Sequence, residues 1–184
     1  ASGKSTLAEL VVEHLNNDAN ATVPMASMLP MDGYHLDNPL LIARGLLDRK
    51  GAPETFNAHG FCEMVKSLST TNVETFHPNF NRHMDLAIAN SIAIHPDTQV
   101  IVVEGNYLLL KTEPWASLRE VFDATVLVCP PIEALRDRLQ QRWIKYGLDP
   151  EAAKLRATQN DLVNVQLVIS DSYDGDLMLS QDYT

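Results

Sequence analysis

Only two cysteines occur in the 184 residues, Cys62 and Cys129, so no disulfide framework can be built. That scarcity fits a reducing compartment, and a cytoplasmic location is expected. No run of about 18 apolar residues is present, which argues against a membrane-spanning helix, and the residues present carry no signal-peptide pattern. Cations are in the minority. Fourteen Lys and Arg stand against 24 Asp and Glu, a net charge of −10, whereas general nucleic-acid binding needs a basic footprint. Internal repeats, low-complexity tracts and Gly/Ser linkers are missing too, so residues 1–184 read as one domain. What remains is ordinary globular material, 45% apolar and 21% charged. A chain of this length buries roughly 70% of the surface its unfolded form exposes.

Along the chain, helical and strand patterns alternate. Leu7, Leu10, Val11 and Leu15 recur at helical spacing, predicting a helix from Ser5 to Asn16. A short strand is expected within Val23 to Met31, then a helix from Asn38 to Leu47 and a polar loop from Asp48 to Phe56. Helices are predicted over Phe61 to Leu68 and His83 to Ala93. Gln99 to Val103 and Ala124 to Cys129 are β-branched runs suited to buried parallel strands. Ile132 to Tyr146 and Pro150 to Val168 read as helices, with Gly147 ending the first and Asp149 capping the second. Asp176 to Leu179 is expected as a last strand. This alternation implies an α/β fold with a mainly parallel sheet flanked by helices.

Gly3-Lys4-Ser5-Thr6, directly before the first helix, matches the end of the phosphate-loop pattern G-x-x-x-x-G-K-[ST]. Backbone N–H groups of such a loop, at the positive end of a helix, wrap a polyphosphate. Ser2, Gly3, Lys4, Ser5 and Thr6 are therefore the expected ATP-binding residues. Lys4 would reach the β- and γ-phosphates, and the Ser5 hydroxyl would bind Mg²⁺. The first glycine of the pattern would lie before residue 1. In phosphate-loop folds the preceding strand is central to the sheet, so roughly 10 to 30 further N-terminal residues are expected, enough for a strand with its flanks.

Two acids follow strands, Asp32 in Met31-Asp32-Gly33-Tyr34-His35 and Glu104 in Val103-Glu104-Gly105-Asn106-Tyr107. Ligands bind at the carboxyl ends of parallel strands, so both acids should face the phosphate loop. Phosphoryl transfer to an alcohol needs one carboxylate at the hydroxyl and one near Mg²⁺. Asp32 is assigned to the first task and Glu104 to the second, with Glu104 also counted beside the substrate. Gly33 and Gly105 would allow tight exits after each acid.

These segments, with Pro30-Met31-Asp32-Gly33-Tyr34-His35-Leu36-Asp37-Asn38 and Arg49-Lys50-Gly51-Ala52-Pro53-Glu54-Thr55-Phe56, resemble the uridine kinase, phosphoribulokinase and bacterial pantothenate kinase group. Within it the chain most resembles a bacterial nucleoside/nucleotide kinase-like branch that includes fructokinases. The resemblance runs over essentially the whole chain. It implies a P-loop kinase fold with a short helical lid, ATP with Mg²⁺, Asp32 as catalytic base and lid arginines on the transferring phosphate. Arg136, Arg138 and Arg142 lie on one predicted helix. Arg138 and Arg142 share a face, and their planar forks suit phosphate oxygens. Departures are Asn57 and Asn81, each where the family often has Asp. Asn160-Asp161 and Asn164 also look like a family pattern and are assigned a nucleotide-side role.

Lys4, Asp32, Arg138 and Arg142 are thus the expected catalytic residues, with His35, Arg49, Arg82 and Glu104 toward the substrate and Ser5 and Glu104 toward the metal. His77, His83 and Cys62 are not spaced as a zinc site. Trp115, Trp143 and Tyr146 are read as packing rather than an adenine platform. The expected activity is transfer of the γ-phosphate to a hydroxyl of a small molecule, a sugar first, then a nucleoside such as uridine, then pantothenate. The expected partner is that small-molecule acceptor, with a homodimer as the assembly considered. A nucleotide-binding regulator is the rival from another class. The guanine-reading Asn-Lys-x-Asp motif is absent, which lowers a GTPase version.

Overall fold

The computed structural model describes residues 2–17 and 22–180. Helix α1 (Lys4–Leu15) starts from Gly3, whose φ of 88° lies in the left-handed region that favours glycine. Strand β1 (Ala26–Pro30) pairs in parallel with β4 (Val100–Glu104), in a register that sets Ala26 against Val100 and Pro30 against Glu104. Short helix α2 (Asn38–Ala43) is capped by the Asp37 carboxylate, and α3 (Ala58–Leu68) by the Asn57 side chain. Strand β5 (Val126–Val128) pairs in parallel with β6 (Leu177–Leu179). Helices α4 (Ile132–Lys145) and α5 (Pro150–Arg156) pack on one another, and a π turn (Ala157–Asp161) leads into α6 (Leu162–Asp171). Among the described residues, no helix is long and apolar enough to cross a membrane.

One prediction fails. His83 to Ala93 is not a helix: Leu86–Ile94 is strand β3, antiparallel to β2 (Thr75–Asn81). Leu86, Ile88, Ile92 and Ile94 recur at a strand's period of two, a signal that the interspersed alanines obscured. The hairpin is irregular. Three residues of β2, His77 to Asn79, stand against five of β3, Ile88 to Ile92. Asn90, at φ 54°, absorbs the excess in a conformation that Asn tolerates better than most residues. The predicted helix over Pro150 to Val168 is likewise interrupted by the π turn.

The main core packs α3 against β1 and the segment after β4. It contains Leu29, Met31, Phe61, Cys62, Tyr107, Leu110, Trp115 and Leu118. Phe61, Tyr107 and Trp115 meet at ring-centroid distances near 6 Å, so Trp115 is committed to packing.

Candidate functional site

The parallel register of β1 and β4 brings their carboxyl ends level, and with them Asp32 and Glu104. One cleft of about 2050 Å³ is lined by Ser2 to Thr6, by both acids and by His35, Arg82 and Arg142. It continues between β4 and β5, whose facing edges have no ladder partner among the described residues. Glu104, 7% exposed, takes the Lys4 ammonium on Oε1 and accepts the Ser5 hydroxyl on the same oxygen at 3.1 Å. Lys4, Ser5 and Glu104 are therefore one cluster, although 100 residues separate its ends.

Asp32 is the second residue of a 3-10 turn (Met31–Tyr34) directly after β1. Arg82, from the β2–β3 turn, donates to its Oδ2. Burial pushes the Asp32 carboxyl up, but the charges of Arg82 and Lys4, with the Arg82 hydrogen bond, hold it below the ordinary aspartate value. It is ionised at neutral pH. His35 has the opposite outcome: burial pushes its pKa down against the pull of Asp32, so its ring is neutral. That ring contacts Asp32 O through Nδ1 at 2.8 Å and lies against Phe56 and Phe80, at centroid distances of 4.0 and 4.7 Å.

Gly33 and Gly105 serve for close approach rather than for a special backbone angle, since neither has positive φ. A Cβ on Gly33 would overlap the Pro78 carbonyl of β2, and one on Gly105 would press on Met31. The exits after both acids are thus packed backbone against neighbour, which fixes where the acids stand.

A cationic loop at a helix start, with two strand-end carboxylates facing it, is the arrangement of a polyphosphate site. No protein-family profile matches the chain. The ATP-dependent kinase-like protein notR' of Aspergillus versicolor is 32% identical over 149 residues, covering 76% of this chain and 87% of the relative. A candidate uridine kinase of Schizosaccharomyces pombe is 29% identical over 191 residues, covering 98% and 79%. The crystal structure of a candidate fructose transport system kinase from Silicibacter sp. TM1040 superposes with a TM-score of 0.86 at 40% identity, covering 96% of this chain and 84% of that one. The chain belongs to the ATP-dependent P-loop kinases.

In this kinase the remaining candidate residues fall in two groups. Arg82 and His35 join Asp32, and Lys50 stands close by. The Lys50 ammonium reaches Asn38 Oδ1 at 2.7 Å, the Asp85 carboxylate at 2.9 Å and the Phe80 ring at 5.1 Å. From the sequence, Lys50 belongs with Arg49 and Glu54 to a polar loop expected beside the acceptor pocket. Arg49 leaves the group. Its guanidinium donates to Asn160 Oδ1 at 2.6 Å and Asn164 Oδ1 at 3.2 Å, and its Nε lies 3.7 Å from Glu54. Arg49 is not among the residues that line the cleft, and its partly buried contacts use the two asparagines assigned by sequence to the nucleotide. Asn57 and Asn81 are also engaged by the backbone. Asn57 accepts from the Gly60 N–H, while Asn81 accepts from the His83 and Met84 N–H groups.

On α4, Arg142 lines the cleft and pairs with Asp161 at 3.1 Å, with its Nε buried and without a hydrogen-bond partner among the described residues. Arg138 lies one turn earlier on the same helix, half-buried, and Arg136 is exposed. Trp143 donates from Nε1 to Asp161 Oδ2 at 2.6 Å and packs edge-on to Tyr146. Helix α4 ends as expected: Gly147, at φ 93°, donates to Ile144 O, and Leu148 donates to Trp143 O.

Proposed function

We propose that this kinase moves the γ-phosphate of ATP to a hydroxyl of a small metabolite, with a sugar or sugar-like polyol as first choice and a nucleoside such as uridine as second. The observation that carries the reading is the ionised Asp32, seated at the end of β1 in the same cleft as the phosphate loop. A carboxylate in that state can accept the hydroxyl's hydrogen bond and take its proton as the phosphoryl group arrives. Ser5 and Glu104 offer hard oxygen donors side by side and would hold Mg²⁺, which supplies charge neutralisation on the phosphates when bound. Lys4 adds a mobile positive charge, and backbone N–H groups at the start of α1 orient the polyphosphate.

Arg82 would place the acceptor and keep Asp32 ionised. Arg142, with Arg138 behind it on the lid helix, would steady charge spread over the transferring group. Closure of α4 over the cleft would exclude water and limit wasteful hydrolysis. The sugar preference draws on the 40% identity to a candidate fructose transport system kinase, and the nucleoside alternative on the candidate uridine kinase.

The test is ADP release with Mg-ATP and a panel of fructose, other sugars, uridine, cytidine and pantothenate, with Lys4→Ala as control. Strong stimulation by one acceptor, lost in the control, names the substrate. Tight ATP binding without stimulation by any acceptor would favour the non-catalytic regulator.

A further inference from the structure

The asparagines that sequence assigned to the nucleotide side sit at a junction. The loop over residues 48–51 is held at every residue, by Arg156, by Asn160 and Asn164, and by Tyr107. Asp48 O accepts from Arg156 at 2.6 Å, and the Arg49 guanidinium reaches Asn160 and Asn164. Lys50 O accepts from Asn160 Nδ2 at 3.1 Å while its ammonium reaches Asn38 and Asp85. Gly51 O accepts from the Tyr107 hydroxyl. The same loop runs on to Phe56 and is laced to the Asp32 turn. Leu36 N donates to Thr55 O at 2.9 Å, and Asn57 N to Tyr34 O at 2.8 Å.

Asn160 is 3% and Asn164 8% exposed. Buried amides of this kind are high-stakes groups, because losing one partner leaves the other unsatisfied. The residue next to Asn160 looks the other way. Asp161 holds Arg142 and Trp143 of α4, and Arg156 lies over the Trp143 ring at 5.3 Å. Both residues belong to the π turn, whose extra residue shifts the phase of the helix and is a frequent mark of function. Asn160 and Asn164 therefore share the face toward the loop, and Asp161 falls on the face toward α4.

We propose that this π turn is a two-sided positioning element, which makes the arginine-bearing end of α4 and the loop beside Asp32 adopt their working arrangement together. Asn160 and Asp161 touch no reacting atom. They act through Lys50 and Arg49 on one side and through Arg142 on the other. The acceptor half of the proposal rests on the kinase reading above, while the mechanical half does not.

The experiment reads each side after disturbing the other. In the full chain without nucleotide, backbone hydrogen exchange is measured for wild type, Asp161→Asn, Asp161→Glu and Asn160→Ala. Asp161→Asn is expected to speed exchange across 49–52, and Asn160→Ala across 142–148, by about fivefold or more, with Asp161→Glu near wild type. Each variant disturbing only its own side would overturn the proposal. Acceleration spread over the whole chain, including strands β1 and β4, would do so too, since it would mean global loosening. A second arm follows ADP release with the acceptor found by the panel. The acceptor KM should rise about tenfold in both variants while Mg-ATP affinity stays within about twofold, and Asp161→Glu should restore it. An unchanged acceptor KM overturns the functional half. Failure of the panel itself counts against the kinase reading and leaves the exchange arm to decide the coupling.

Discussion

Two ion pairs stand in the cleft, and they are mounted differently. Lys4–Glu104 joins the start of α1 to the end of β4, both at the edge of a parallel ladder and packed from below. Arg82–Asp32 joins a strand end to the turn of a hairpin that reaches it from outside. Side-chain exposure follows the mounting: 24% and 6% for the first pair, 49% and 14% for the second. On the proposed reading, the phosphate end is built into the scaffold, and the acceptor end is assembled by landing one element on another. A site that must receive one fixed nucleotide and one variable acceptor gains from this division, because the hairpin can change without disturbing the phosphate loop.

Asp32→Asn tests the comparison most severely. It keeps the shape of the side chain and removes the proton acceptor, so turnover should fall about 10²- to 10⁴-fold while ATP binding persists. Steady-state kinetics beside a nucleotide titration checks this, and unchanged turnover would take the base role from Asp32. Next, Gly33→Ala pushes a methyl group into the Pro78 carbonyl. It should destabilise the protein by about 1–3 kcal/mol in denaturant melts and reduce acceptor-dependent turnover more than ATP binding.

Arg82→Ala and Lys4→Ala can be compared through pH. Burial pushes the Asp32 carboxyl up and the two cations pull it down, Arg82 more than Lys4. Removing Arg82 should therefore move the acid limb of kcat/KM to higher pH by more than removing Lys4 does, in whatever activity each variant retains. The sign follows from the direction of the shift. Asp32 is held below 3.8 in the fold, so its ionisation stabilises the protein above that value, and the contribution is lost as pH falls through the folded pKa. In the unsubstituted protein the profile should stay flat down to the carboxylate range. A limb above the carboxylate range but below 6.5, the ordinary histidine value, would point to the buried His35 instead. The smallest effect belongs to Asn57→Ala. It removes the cap of α3 and should cost about 1 kcal/mol of stability, leaving turnover unchanged.

The same division explains how much could be read in advance. Glycine, lysine and hydroxyl side chains at a helix start, and acids closing β-branched runs, are local signals. They located Lys4, Ser5, Asp32 and Glu104, and with them the parallel layer. Arg49 and Arg82 looked alike by the same reasoning, as cations in polar stretches. Only contacts 111 and 50 residues away in sequence separate them. One goes to Asn160 and the other to Asp32, and no window around either residue encodes that. The hairpin was misread for a mixed reason: its period-two pattern was present, but Ala87, Ala89 and Ala93 suited a helix equally well.

Gly33 against Pro78 carries one more consequence. At that crossing two main chains meet with no side chain between them, so there are no rotamers to absorb a displacement. A tilt of the β2–β3 hairpin must therefore pass straight into the turn that carries Asp32. On the proposed reading, an acceptor that leaned on the hairpin would also aim the carboxylate, and size discrimination and chemistry would become two readings of a single lever.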